Sequence, residues 1–107
     1  MKLIIAVVNQ EDSKKVHKVF VENRIFSTKL SSSGNFLSSG QVTYMIGAED
    51  KRIDEILDVL RNTCKKRIKI VPSTILSEFH LQNTVPIEVE VGGATIFILE
   101  VSQFFKI

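Results

Sequence analysis

Tryptophan is absent from the 107 residues, and cysteine occurs once, at Cys64. A single cysteine excludes an internal disulfide and points to a reducing compartment, hence a cytoplasmic protein. Charge of one sign is also scarce: the formal net charge is +2 with the basic residues scattered, which argues against a nucleic-acid partner. The densest basic patch, Lys65-Lys66-Arg67 with Lys69, falls where a helix is expected to end, a place where the helix dipole favours cations. Long hydrophobic runs are missing. The N-terminal stretch Leu3–Val8 is apolar but too short to span a bilayer and lacks a signal-peptide cleavage pattern, so no membrane association is expected. Metal-ligand spacings are missing too, since neither His17 nor His80 has a partner at the right interval. The glycine loop Ser33-Gly34-Asn35 lacks the Gly-Lys-Ser/Thr ending of a phosphate-binding loop. Asp50, Asp54 and Glu55 read as a solvated helix face, and Glu88 and Glu90 as the wet face of a strand. No catalytic constellation emerges, so a binding module without cofactor or metal is expected rather than an enzyme.

What is present is a core of ordinary size. Apolar residues make up 44% of the chain, with no compositional sign of disorder, and the length fits one domain over residues 1–107. Leu3–Val8 is a continuous β-branched run that reads as a buried strand, followed by a helix capped by Asp12 or Ser13. Val16, Val19 and Phe20 lie at i, i+3 and i+4, giving that helix an apolar face to about Asn23. Thr28-Lys29-Leu30 and Val42–Ile46 read as strands around a serine- and glycine-rich loop with Phe36-Leu37 at its centre. An apolar pair there either pins the loop to its own domain or closes it over a flat, partly anionic ligand. Asp50 is placed to cap a second helix with Ile53, Ile56, Leu57 and Leu60 on one stripe, running to about Lys66. Ile68–Val71 is a short strand stopped by Pro72, and residues Pro72–Thr84 show no sustained period and read as a second long loop. Both loops are expected to be mobile without ligand. Ile87–Val91 alternates, Gly92-Gly93 has the form of a hairpin turn, and Ala94–Val101 is the last main strand.

The order is β-α-β-β-α-β with an extra hairpin strand, a ferredoxin-like α+β arrangement. Its antiparallel sheet carries two helices on one face. Yet the strands at Leu3–Val8 and Ala94–Leu99 are apolar on both faces, a pattern that calls for cover on both sides. With no further helix to supply it, either the long loops or other subunits must do so; other subunits are the expectation.

The chain resembles the PII-like cyclic-di-AMP receptors of Gram-positive bacteria over nearly its full length. The resemblance rests on Met1–Ala6, Thr28-Lys29-Leu30, Gly34, Phe36-Leu37, Arg52–Leu57, Thr63-Cys64 and above all Glu88–Phe97. It implies a homotrimer of ferredoxin-like subunits, sheets inward, with the cyclic dinucleotide bound between adjacent subunits under the loop after the second strand. It assigns ligand contacts to Thr28, Phe36, Leu37, Gly47 and Phe97: a hydroxyl at Thr28, apolar surface at Phe36-Leu37, a close backbone approach at Gly47 and a ring at Phe97. This sequence departs from the family pattern at five positions. An Asn-x-Arg-x-Thr pattern is replaced by Arg24-Ile25-Phe26-Ser27-Thr28, a loop glycine by Asn35, an asparagine by Gln41 and a glutamine by Lys106. Losing an arginine at Phe26 removes a charge and a donor fork, which Arg24 or Lys106 would have to restore. The alternative is a divergent interaction module of the same fold that has lost cyclic-di-AMP or binds another nucleotide. A partner protein reading loop position is a further expectation.

Overall fold

The structure, a computed structural model, describes residues 1–30, 40–71 and 87–107. The expected loop residues Asn35, Phe36 and Leu37, and all of the expected second loop, Pro72–Thr84, lie outside them. Strands β1 (Lys2–Asn9), β2 (Thr28–Leu30), β3 (Gln41–Ala48) and β6 (Ala94–Glu100) form one sheet in the order β2-β3-β1-β6. Every pairing in it is antiparallel. Helices α1 (Ser13–Glu22) and α2 (Ile53–Thr63) pack on one face. This is the ferredoxin-like α+β fold that the element order predicts. Strands β4 (Arg67–Val71) and β5 (Ile87–Val91) form a separate two-stranded ribbon.

The core follows from the two periods. Ile4, Ala6 and Val8 of β1 and Val42, Tyr44, Ile46 and Ala48 of β3 alternate inward and are buried. Val16 and Phe20 of α1 and Ile56 and Leu60 of α2 meet them. Phe20 stands edge-on to Tyr44 with ring centroids 5.6 Å apart, and the Tyr44 hydroxyl lies 3.0 Å from Ser13 Oγ. Cys64 is buried beside this core as expected, and burial pushes its thiol pKa up to about 11.

Strand parity fixes the opposite face. Residues in register share a side, so Leu3, Ile5, Val7, Thr43, Met45, Gly47, Thr28, Phe97 and Leu99 all point away from the helices. Leu3, Ile5 and Val7 are half-buried, and Phe97 and Leu99 are 55% and 45% exposed. The second apolar face is therefore real, and neither helix covers it.

Several local expectations are corrected. Gly92-Gly93 does not close a hairpin between β5 and β6, because β5 pairs with β4 and β6 with β1. Both glycines do have positive φ, 89° and 76°. They let the chain cross the end of α2: the Gly93 N–H donates to the Cys64 carbonyl at 2.6 Å, and a Cβ on Gly92 would stand 2.3 Å from the Lys65 carbonyl oxygen. Asp12 precedes α1 but its side chain caps nothing; it is buried and taken by Arg67, whose Nη2 lies 3.0 Å from Oδ1. The Asn9 side chain does the capping instead, accepting from Glu11 N–H at 2.9 Å at the start of a 3-10 turn, Gln10–Asp12. Asp50 likewise caps no helix, since its carboxylate faces the N-terminal ammonium at 3.3 Å. The helix α2 stops at Thr63, so Arg67 and Lys69 are strand residues: they serve Asp12 and Glu11 rather than a helix dipole.

Candidate functional site

The turn after α1 places the first site residues. Ile25 N–H donates to the Phe20 carbonyl at 2.8 Å and Arg24 N–H to the Val21 carbonyl at 3.2 Å, a Schellman ending with Arg24 left-handed at φ 53°. Arg52 locks this turn from α2's side. Its guanidinium donates to the Asn23 carbonyl at 2.8 Å, to the Arg24 carbonyl at 3.0 Å and to Glu55 at 3.2 Å. The Glu55 carboxylate raises the guanidinium pKa, and the guanidinium in turn lowers that of Glu55. With its fork occupied, Arg52 acts as a positioning residue for the chain that leads into Phe26.

That chain delivers Phe26 to the rim of a cleft of about 530 Å³. Gly47, Ala48, Glu49, Lys51 and Ile25 line it, together with Phe104 and Lys106 from the tail that follows β6. Phe26 is 86% exposed and Phe104 61% exposed, so two aromatic rings front one cleft without being packed into the core. Nothing lies within 4 Å of where a Gly47 Cβ would sit, and its φ is not positive. Neither crowding within the chain nor backbone strain requires glycine there. A flat apolar group between the rings, with an anionic group toward Lys106, suits this lining.

The expected contacts are scattered over the fold. Gly47 borders the cleft together with two of the departures, Phe26 and Lys106. Thr28 is exposed and pairs with Met45, one step along the same face of β3 from Gly47. Phe97 is on that face too, but across the sheet: the row runs Thr28, Met45, Ile5, Phe97, three strand spacings or about 14 Å. Gln41 starts β3, about 20 Å by strand rise from Gly47. It borders a separate polar cleft of about 200 Å³ with Asn9, Lys66 and Thr95. The backbone of Arg24 ends α1, and its side chain is not among those lining the Gly47 cleft. Asn35, Phe36 and Leu37 lie outside the described residues. Among the described residues, one chain therefore does not gather the expected contacts into one cavity. Phe104 and Arg52 were not anticipated; the adjacent rings Phe104-Phe105, beyond the expected end of the last strand, were the available signal for the first.

Among the described residues no helix is long and apolar enough to cross a membrane. A crystal structure of a functionally unknown protein from Pediococcus pentosaceus ATCC 25745 is similar to this chain, at 35% sequence identity and a TM-score of 0.74. The match covers 99% of this chain and 96% of that one. The model of the cyclic-di-AMP receptor family matches residues 1–107. With the fold, the Gly47 cleft and a family match over the entire length, the chain belongs to the cyclic-di-AMP receptor family.

Proposed function

We propose that this chain is a PII-like cytoplasmic signalling protein, a single domain over residues 1–107, and not an enzyme. It binds cyclic-di-AMP between subunits of a homotrimer, and ligand changes the conformation of the loop after β2. The observation that carries this reading is the Gly47 cleft, where two exposed rings and a lysine surround a glycine that its own chain does not need. The separation of Phe97 from Thr28 on one sheet face supports a site completed by a second copy. The exposed apolar side chains of Phe97 and Leu99 support burial of that face in the same assembly. In the trimer Thr28, Phe36, Leu37, Gly47 and Phe97 contact the dinucleotide. Lys106 supplies the cation that Phe26 no longer provides, while Arg24, Asn35 and Gln41 are the further polar candidates.

A thermal-shift titration with cyclic-di-AMP, with cyclic-di-GMP and ATP as controls, tests the ligand. A ligand bound by the folded state alone raises the melting temperature with concentration. Sedimentation at micromolar protein tests the trimer. The exposed ring of Phe26 favours one second reading, an interaction module of the same fold that has lost the dinucleotide. Under it cyclic-di-AMP leaves the melting temperature unchanged while the trimer persists.

A further inference from the structure

The β4–β5 ribbon has two chemically different faces. Register pairs Arg67 with Val91 and Lys69 with Val89 on one face, and Ile68 with Glu90 and Ile70 with Glu88 on the other. The first face is tied to the body by its two cations, although its Val89 is itself 39% exposed. Arg67 Nη2 lies 3.0 Å from Asp12 Oδ1 and 3.5 Å from Glu11 Oε2, and the Lys69 ammonium also pairs with Glu11. Both cations of the paired strands are thus directed inward. The second face points outward and bears only Ile68, Ile70, Glu88 and Glu90. Ile68 and Ile70 are 68% and 63% exposed, and both glutamates are exposed. Lys66, at the strand's foot, reaches Glu90 at 3.6 Å.

Exposed β-branched apolar side chains are costly in water, and here two stand side by side on a ribbon whose other face is tied to the body through Arg67 and Lys69. We infer that this outward face of the ribbon is a docking surface for a partner protein, through an amphipathic segment whose apolar stripe is flanked by lysine or arginine. The charge decides the occupant. The apolar stripe covers Ile68 and Ile70, and the flanking cations meet Glu88 and, in competition with Lys66, Glu90. Phosphate-bearing surfaces, nucleic acid or anionic lipid, are repelled by the same two carboxylates. The patch is small, so a single contact is weak and transient, and several copies in one assembly gain by avidity.

The test uses the full chain without nucleotide, so its failure leaves the cyclic-di-AMP reading untouched. The probes are a synthetic amphipathic peptide with a leucine stripe flanked by lysines, and its counterpart with glutamate at every lysine. The lysine peptide is expected to bind and the glutamate peptide not, with binding weakened by salt. Glu88→Lys with Glu90→Lys is expected to reverse the preference, and Ile68→Ser with Ile70→Ser to weaken the lysine peptide by roughly tenfold or more. Asp54→Lys, on the exposed face of α2, is the control and leaves the preference unchanged. Equal binding of both peptides, or a double lysine variant that keeps the wild-type preference, overturns the proposal. So does a change of oligomeric state in the isoleucine variant, which would make the face an interface between copies of this chain.

Discussion

Replacing Gly47 separates ligand binding from folding. Glycine in a strand interior is destabilising by roughly 0.5–1 kcal/mol relative to alanine, and here no neighbour within 4 Å and no positive φ opposes a side chain. Gly47→Ala is therefore expected to keep or raise stability, a shift of up to several degrees in melting temperature. In the proposed site the added methyl projects where a purine would approach the backbone. Pushing a ring outward by an ångström or so forfeits about half of its dispersion contact. If covering one face of the ring contributes about 1.5–3 kcal/mol, the loss is on the order of 1 kcal/mol, five- to tenfold in affinity, and Gly47→Val exceeds it. Calorimetry with cyclic-di-AMP and thermal melts without it measure the two effects on the same samples. A valine variant that binds as tightly as wild type refutes the placement of ligand at Gly47. A valine variant that loses the trimer before any nucleotide is added assigns the glycine to the subunit interface instead.

Arg24→Gly is expected to raise thermal stability by about 0.5–1 kcal/mol, because it removes a Cβ from a left-handed helix cap at φ 53°; unchanged affinity for cyclic-di-AMP in the same variant shows that Arg24 is only a cap residue. Leu99→Lys, 45% exposed in the protomer, is expected to shift sedimentation from trimer toward monomer while the circular dichroism of the fold persists; an intact trimer sinks the proposed packing of the open face. The Cys64 thiol, with a pKa pushed up to about 11, is expected to react with a disulfide reagent at pH 8 only after denaturant is added, and rapid reaction of the native protein contradicts its burial. Hydrogen bonding from Lys69 lowers the Glu11 pKa, so the contribution of this pair is complete above 4.5 and is lost as pH falls through the lower folded value. NMR shifts of the β4 amides followed through that acid range are expected to change before the sheet amides do.

The parts of the fold carried by short-range periodicity were legible. The stripes Val16, Val19, Phe20 and Ile53, Ile56, Leu57, Leu60 put α1 and α2 on the sheet, with Val16, Phe20, Ile56 and Leu60 buried and the others at the margin. The two-sided apolar character of β1 and β6 was legible for the same reason. Long-range partners were not. Gly92-Gly93 has the same positive φ whether it turns a hairpin or crosses a helix end, and only the pairing of β5 with β4 distinguishes them. Asp12 resembles an N-cap in its own window, and its true partner Arg67 is remote in sequence. At the site, Gly47 was named only through the family resemblance: the expected strand ended at Ile46, whereas β3 runs through Gly47 to Ala48. Phe104 and Lys106 join Gly47 only because the tail after β6 returns to the cleft.

A site divided across one sheet face has a thermodynamic consequence. Thr28 and Gly47 stand toward one edge and Phe97 toward the other, on the face that the helices leave open. In the proposed trimer a dinucleotide touching both sets draws them from two copies. Ligand affinity and assembly are then coupled: whatever factor the assembled state adds to nucleotide affinity, nucleotide adds to assembly. Phe26 bears on this balance. A ring contributes apolar surface that any neighbouring chain can cover, whereas the arginine of the family pattern contributes a donor fork that is satisfied only by an anion or an acceptor. If the proposed ligand occupies this cleft, the substitution moves its preference from the charged part of the ligand toward its bases and toward protein surface. Under the proposed reading, more of the discrimination then falls to Lys106 and to how the second copy closes the cleft.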